Sequence, residues 1–284
     1  MGSWLISAGY GRLLVYPLIA VLLAACSRIF FQPLSSHLAS PEQYDIDYAD
    51  IYFGGDKGPE LHGWWFPSQR PARACLLFLH GNAENISTHA GLVYWLTRYQ
   101  YDVFIFDYRG YGKSRGQVEI AGVLDDIQTA RDYMLSHKPH CRKRFVMGHS
   151  LGASLGIYNI AAHPENIDGM IFVAPFAEYP LIARQTLSKS WLGWLFQWPI
   201  SLAISSEYDP LAVVDRLPRQ PKLFLYSNED EIIDTSHIKA LYKKASQPKA
   251  MERLRGGHNV LFAQTGNQQI ILQYLDRWSE PRVQ

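Results

Sequence analysis

Two short runs, Ala74–Leu79 (Ala-Cys-Leu-Leu-Phe-Leu) and Val103–Phe106, contain no polar residue to turn toward water. Each predicts a strand covered on both faces, as in a parallel sheet between helices. Upstream, Tyr44–Phe53 and Leu61–Phe66 alternate apolar and polar positions, the pattern of an antiparallel edge. Downstream, Phe145–Met147, Met170–Val173, Leu223–Tyr226 and Ala250–Leu254 continue the series of strands. Helical periodicity falls between them, at His89–Arg98, Val123–Ser136, Leu151–Ala162, Thr235–Lys244 and Gln264–Trp278. Alternation of this kind predicts a doubly wound α/β fold with a mostly parallel sheet, here over residues 44–284. No internal repeat is visible.

Residues 176–218 break the rhythm. The segment is longer than an ordinary crossover and carries Tyr179, Trp191, Trp194, Phe196 and Trp198. Over the carboxyl ends of the strands it forms a lid or part of a pocket; otherwise it is the helical packing of a long crossover.

Composition narrows the class. The chain has 284 residues, 48% hydrophobic and 19% charged, with a formal net charge of +1. Apolar content is too high for a disordered chain. A near-neutral balance lacks the attraction that nucleic-acid binders need, and Arg142-Lys143-Arg144 reads as a solvated turn before a strand. Three cysteines make neither a disulfide framework nor a four-thiolate zinc site. His137, His140 and Cys141 have metal-like spacing but no evident fourth ligand, so neither a metal nor a cofactor is expected.

Before residue 28 the only charge is Arg12, followed by an apolar run that ends in Leu23-Ala24-Ala25-Cys26. A basic start, a short apolar stretch and small residues before a cleavage point make a secretory signal over residues 1–25. The ending resembles the bacterial lipobox, which implies lipidation of Cys26. Arg28 limits the run from Leu13 to fifteen residues, short of the ~20 that cross a bilayer. An uncleaved anchor and a soluble tail are the alternatives, and residues 26–43 read as a polar tether.

Gly-x-Ser-x-Gly occurs three times, centred on Ser114, Ser150 and Ser154. A nucleophilic serine needs a tight turn between a buried strand and a helix, so that its oxygen stands clear of the backbone. Ser150 meets that demand, between Phe145–Met147 and Leu151–Ala162. Ser114 lies in a polar loop, and Ser154 falls one helical turn too late. A serine also needs a base and a group to orient that base, in the chain order Ser, Asp or Glu, His. Four acids follow Leu223–Tyr226: Glu229, Asp230, Glu231 and Asp234. Asp230 is the candidate, and the others read as solvated loop or helix-cap residues. Of ten histidines only His237 and His258 follow the acid. His258, in a flexible loop after Arg255-Gly256-Gly257, is the candidate base; His237, like His89 and His163, reads as a surface residue. Oxyanion donors are expected from the N–H of Leu151 and of Asn82, with Ala83 second.

Together these residues resemble the α/β-hydrolase family over roughly Tyr44 to Trp278. His80-Gly81-Asn82-Ala83 with Asn85, Asp107-Tyr108-Arg109-Gly110-Tyr111-Gly112-Lys113-Ser114 and Gly148-His149-Ser150-Leu151-Gly152 look like its membrane-associated Bem46-type branch. Bacterial members are grouped with serine peptidases of the prolyl-oligopeptidase clan, and eukaryotic depalmitoylases carry similar motifs. The resemblance implies an eight-stranded sheet with strand three beside strand five, and a mainly structural role for the Asp107–Ser114 loop. That neighbourhood places Cys75 and Cys141 near the starts of adjacent strands, either as a disulfide or as two small apolar residues. With the N-terminal signal and the aromatic insertion, the expected protein is a serine hydrolase of small or lipid-derived acyl esters or thioesters, held at the bacterial cell envelope. Asp234 where many relatives have Pro, and Tyr226-Ser227 in place of a common His-Gly, are departures that remove no catalytic group. A peptidase and a non-catalytic scaffold on the same fold are the rival readings.

Overall fold

The computed structural model describes residues 30–56 and 58–280. Residues 1–25 and the proposed lipidation site Cys26 lie outside them.

Eight strands form the main sheet: β1 (Ala49–Gly54), β2 (Glu60–Phe66), β3 (Ala74–Leu79), β4 (Tyr101–Asp107), β5 (Arg144–His149), β6 (Gly169–Val173), β7 (Lys222–Ser227) and β8 (Lys249–Leu254). Their spatial order is β8-β7-β6-β5-β3-β4-β2-β1. β1 and β2 pair antiparallel, as do β2 and β4, and the remaining neighbours are parallel. β3, β4 and β6 are buried at every position, which is why their sequences lack polar alternation. β2 is also buried from Leu61 onward, because it lies between β1 and β4 rather than at the edge.

The longer helices among the described residues are α1 (Ile120–His137), α2 (Leu151–Ala162), α3 (Tyr179–Leu187), α4 (Trp191–Ala203), α5 (Thr235–Lys244) and α6 (Thr265–Ser279), of which α1, α2, α5 and α6 cover the sheet. Two apolar clusters result, one on each face. Val123 and Ile127 of α1, Leu155 of α2 and Ile238 of α5 pack with Leu77 and Phe104 on one side. Ile271 and Leu275 of α6 pack with Phe78 and Ile105 on the other.

Three expectations change in detail. The strand expected from Tyr44 starts at Ala49, because Pro41–Tyr44 is a 3-10 turn entered through Ser40 and Pro41. The helix expected over His89–Arg98 is a set of short turns, Ile86–His89, Ala90–Leu92 and Tyr94–Tyr99, broken around Gly91. The tether expected over residues 26–43 is, in its described part, packed on the domain. Phe30 and Phe31 are buried, and Gln32–Pro33 pairs with Ala83–Glu84. Two adjacent aromatic rings supply the apolar anchor that a free tether lacks.

Cys75, in β3, and Cys141, just before β5, are joined by a disulfide with a Cα–Cα distance of 5.4 Å. The adjacency of these strands brings the two sulfurs together across 66 residues of sequence. Beside them Nε2 of His140 donates to Asp102 at 2.7 Å. The disulfide takes both sulfurs out of any ligand set that His140 could join.

Candidate active site

Ser150 sits at the turn from β5 into α2 with φ 54° and ψ −118°, a left-handed conformation that an L-residue rarely adopts. Its own N–H is tied to the carbonyl of Val173 at 2.8 Å, which holds the turn against β6. The flanking glycines make the turn possible. A Cβ on Gly148 would lie 2.5 Å from the Ala153 Cα, and one on Gly152 would lie 2.2 Å from the Leu79 carbonyl oxygen. The other two motif serines are structural ties. Ser114 Oγ donates to the Asp107 carbonyl at 2.6 Å and accepts from the His62 N–H. Ser154 Oγ exchanges two 3.0 Å hydrogen bonds with the backbone of Phe176.

Asp230 and His258 arrive on the loops after β7 and β8. Nδ1–H of His258 donates to Asp230 Oδ2 at 2.7 Å, and both side chains are almost wholly buried. Oδ1 of Asp230 accepts the N–H groups of Ile232 and Ile233 at 2.9 and 2.8 Å. Burial alone would raise this carboxyl. The His258 hydrogen bond and charge, with the two amides, more than offset it and hold the group below the usual aspartate value.

The neighbouring acids are an exposed pair and a helix cap, as expected, and the exposed pair also sets the base loop. Glu229 accepts from the Gly256 N–H at 3.2 Å, and Glu231 accepts from the His258 N–H at 3.1 Å. Asp234 caps α5 through the Ser236 N–H. No sequence signal separated Glu229 and Glu231 from surface acids, because their partners are backbone amides 27 residues away.

Ser150, Leu151, His258, Asn82 and Ala83 line one cavity of about 440 Å³, a volume in the range of small-molecule sites. Its other walls are largely apolar, including Phe30, Phe176, Ile182, Leu187, Ile200 and Ile233. The segment 176–218 therefore contributes α3 and α4 to the cavity wall.

The loop carrying Asn82 is buttressed from below. Tyr108 donates to the His80 carbonyl at 3.0 Å and stacks on the His80 ring, and Tyr111 donates to the Asn82 carbonyl at 2.5 Å. Asp107 accepts from the Ile86 N–H and from His37 at 2.9 Å each. Despite its burial, the His37 and His62 bonds keep the Asp107 carboxyl ionised far below the ordinary range. The Asp107–Ser114 loop thus holds the Asn82 loop in place.

Histidine placement differs from expectation at two positions. His237 is buried in α5, accepting from the Ala177 N–H at 3.1 Å and donating to Gln185 at 2.7 Å, so it anchors the start of the segment 176–218. His89 lines the cavity and donates to the Ala83 carbonyl at 2.9 Å. His163 is exposed. His149, unremarked in sequence, packs its ring 4.8 Å from that of His258, and burial followed by that proximity pushes its basicity far down.

A serine on a strained elbow, a carboxylate–imidazole pair and the backbone of Asn82 and Leu151 around one cavity can support nucleophilic attack on a carbonyl. The sheet order and this placement define an α/β-hydrolase. Sequence comparison agrees, since the profile described as Hydrolase_4, serine aminopeptidase S33, matches residues 70–217. The chain belongs to that family. It is 30% identical over 240 residues to the uncharacterized protein YfhR of Escherichia coli O157:H7, covering 81% of this chain and 79% of that one. It is 28% identical to the protein bem46 of Schizosaccharomyces pombe, covering 82% and 74%. Among solved structures, an esterase of Pyrococcus furiosus superposes with a TM-score of 0.72 at 17% identity, over 88% of this chain and 98% of the esterase.

Proposed function

We propose that this hydrolase is a serine esterase or thioesterase in which Ser150, His258 and Asp230 form a catalytic triad. One observation carries the reading: the His258–Asp230 bond engages Nδ1 and leaves Nε2 for the cavity that Ser150 also lines. In this mechanism Nε2 accepts the Ser150 proton as Oγ adds to the acyl carbonyl. The N–H groups of Leu151 and Asn82 hold the oxyanion, and the imidazolium returns the proton to the leaving alcohol or thiol. Water then cleaves the acyl-enzyme by the same relay.

The family description raises a second reading, an aminopeptidase. Binding a substrate ammonium calls for a carboxylate, and none lines the cavity among the described residues. Apolar walls fit an acyl chain better. Labelling by a fluorophosphonate that disappears in Ser150→Ala supports the nucleophile. Faster hydrolysis of acyl nitrophenyl esters than of peptide anilides supports the esterase, and the reverse order supports the peptidase. A folded protein that the probe never labels would point to a scaffold.

The location proposed is the cell envelope, through the N-terminal apolar run. The Cys75–Cys141 disulfide supports an oxidising compartment. Among the described residues no helix is long and apolar enough to cross a membrane. Labelling with a lipid precursor that is lost in Cys26→Ala supports lipidation; membrane association that persists without label supports an uncleaved anchor.

A further inference from the structure

α4 is built inside out. Its thirteen residues, Trp-Leu-Gly-Trp-Leu-Phe-Gln-Trp-Pro-Ile-Ser-Leu-Ala, contain no charge. A surface helix of a soluble protein normally turns its apolar stripe inward. Here the side chains buried against the domain are those of Gln197 and Ser201, which satisfy themselves on the helix's own Trp194 and Trp198 carbonyls at 3.0 and 3.1 Å. Trp191, Trp194, Leu195, Trp198 and Leu202, spaced as one helical stripe, face outward; Trp191 is 79% and Leu202 80% exposed.

The stripe has a fixed relation to the cavity. Ile200 of α4 lines the cavity together with Phe30, whose ring packs 4.9 Å from that of Tyr179 at the start of α3. Phe30 is also where the described chain begins, three residues after the uncharged run 13–27. Just before α4, Lys189 donates to the Glu231 carbonyl in the loop that holds Asp230. Phe30, where the chain enters the described fold, thus lies at the cavity that α4 also lines.

We infer that α4 docks in the headgroup region of a phospholipid bilayer, so that acyl substrates enter the cavity from the lipid. Tryptophans suit that region because the ring is apolar and its N–H remains free to meet water or headgroups. The Arg184 guanidinium, 4.5 Å over the Trp198 ring, is placed to reach lipid phosphates from the edge of the stripe. The outer stripe of α4 carries no charged residue that would set the register of a protein partner. The docking itself does not depend on Ser150, whereas the entry of acyl substrates rests on the catalytic reading above.

The test uses the full chain in vesicles of phosphatidylethanolamine and phosphatidylglycerol doped with phosphatidylcholine brominated along its acyl chains. Three of the eight tryptophans lie on the stripe, so lipid quenching of emission should fall by roughly twofold or more in W191F/W194F/W198F. Equal quenching of the two proteins overturns docking while leaving the N-terminal tether intact. If that equality comes with concentration-dependent sedimentation of the wild type, a second copy covers the stripe instead. For a variant that removes apolar surface, W191S/W194S/L195S should lose roughly tenfold in hydrolysis of a long-chain ester held in vesicles. Its hydrolysis of a short soluble ester should stay unchanged, which also verifies folding. Equal loss on both substrates, or on neither, overturns the proposed entry route, whereas absence of hydrolysis in the wild type would count against the catalytic reading alone.

Discussion

Asp230 holds His258 by a 2.7 Å hydrogen bond to Nδ1, while its second oxygen is tied down by the amides of Ile232 and Ile233. The carboxylate therefore cannot rotate away without breaking three hydrogen bonds, and its bond to Nδ1 leaves Nε2 of His258 free of it.

Asp230→Asn retains the shape but favours the wrong tautomer, because the new amide can donate toward Nδ1. Ester turnover should fall by about 10⁴ with little change in KM. Steady-state kinetics on a nitrophenyl ester checks this. A near-wild-type rate there, with a large loss in Glu231→Gln, would transfer the orienting role to the acid that holds the His258 N–H.

Gly152→Ala inverts the ordinary helix rule. Alanine normally stabilises a helix interior by about 1 kcal/mol over glycine. At this position the new Cβ meets the carbonyl oxygens of Leu79 and His80 at 2.2 and 2.4 Å, so α2 must lift from β3. A loss of about 3 kcal/mol in urea unfolding is expected, together with reduced activity as the Asn82 loop shifts.

Burial lowers the basicity of His237 from the ordinary 6.5 to about 4. The unfolded chain thus binds a proton there over a pH range in which the folded protein does not. Its contribution to stability is complete above pH 6.5 and is lost progressively as the pH falls toward about 4. Urea midpoints should decline through that window, and His237→Gln should flatten part of the decline while lowering stability at neutral pH. An unchanged slope in the variant would assign the decline to other buried histidines.

Breaking the Cys75–Cys141 bond releases a loop of 66 residues in the unfolded chain. Cys75→Ala/Cys141→Ala should lose about 2–4 kcal/mol, and dithiothreitol should lower the urea midpoint of the wild type but not of this variant.

How much of this was legible in sequence follows the range of the interactions. β3, announced by an unbroken apolar run, has the expected bounds at Ala74–Leu79, and α2 and α5 match as well, since periodicity and caps are local. Periodicity predicts one helix over His89–Arg98, whereas the turns around Gly91 are stabilised by burial of Val93, Trp95 and Leu96, which local propensity does not encode. Ser150 could be singled out by strand, glycine and helix context. Glu231 and His237 could not, since each is defined by a partner tens of residues distant.

The order of apolar runs, turns and glycines by itself determined the α/β class, the position of the elbow and the candidates for base and acid. Tertiary structure decided which side chains meet: Asp230 with His258, Cys75 with Cys141, and Phe30 with the cavity wall. It also decided that α4 turns its tryptophans outward, because helical periodicity defines a stripe but only packing against the domain chooses which side of the helix is covered.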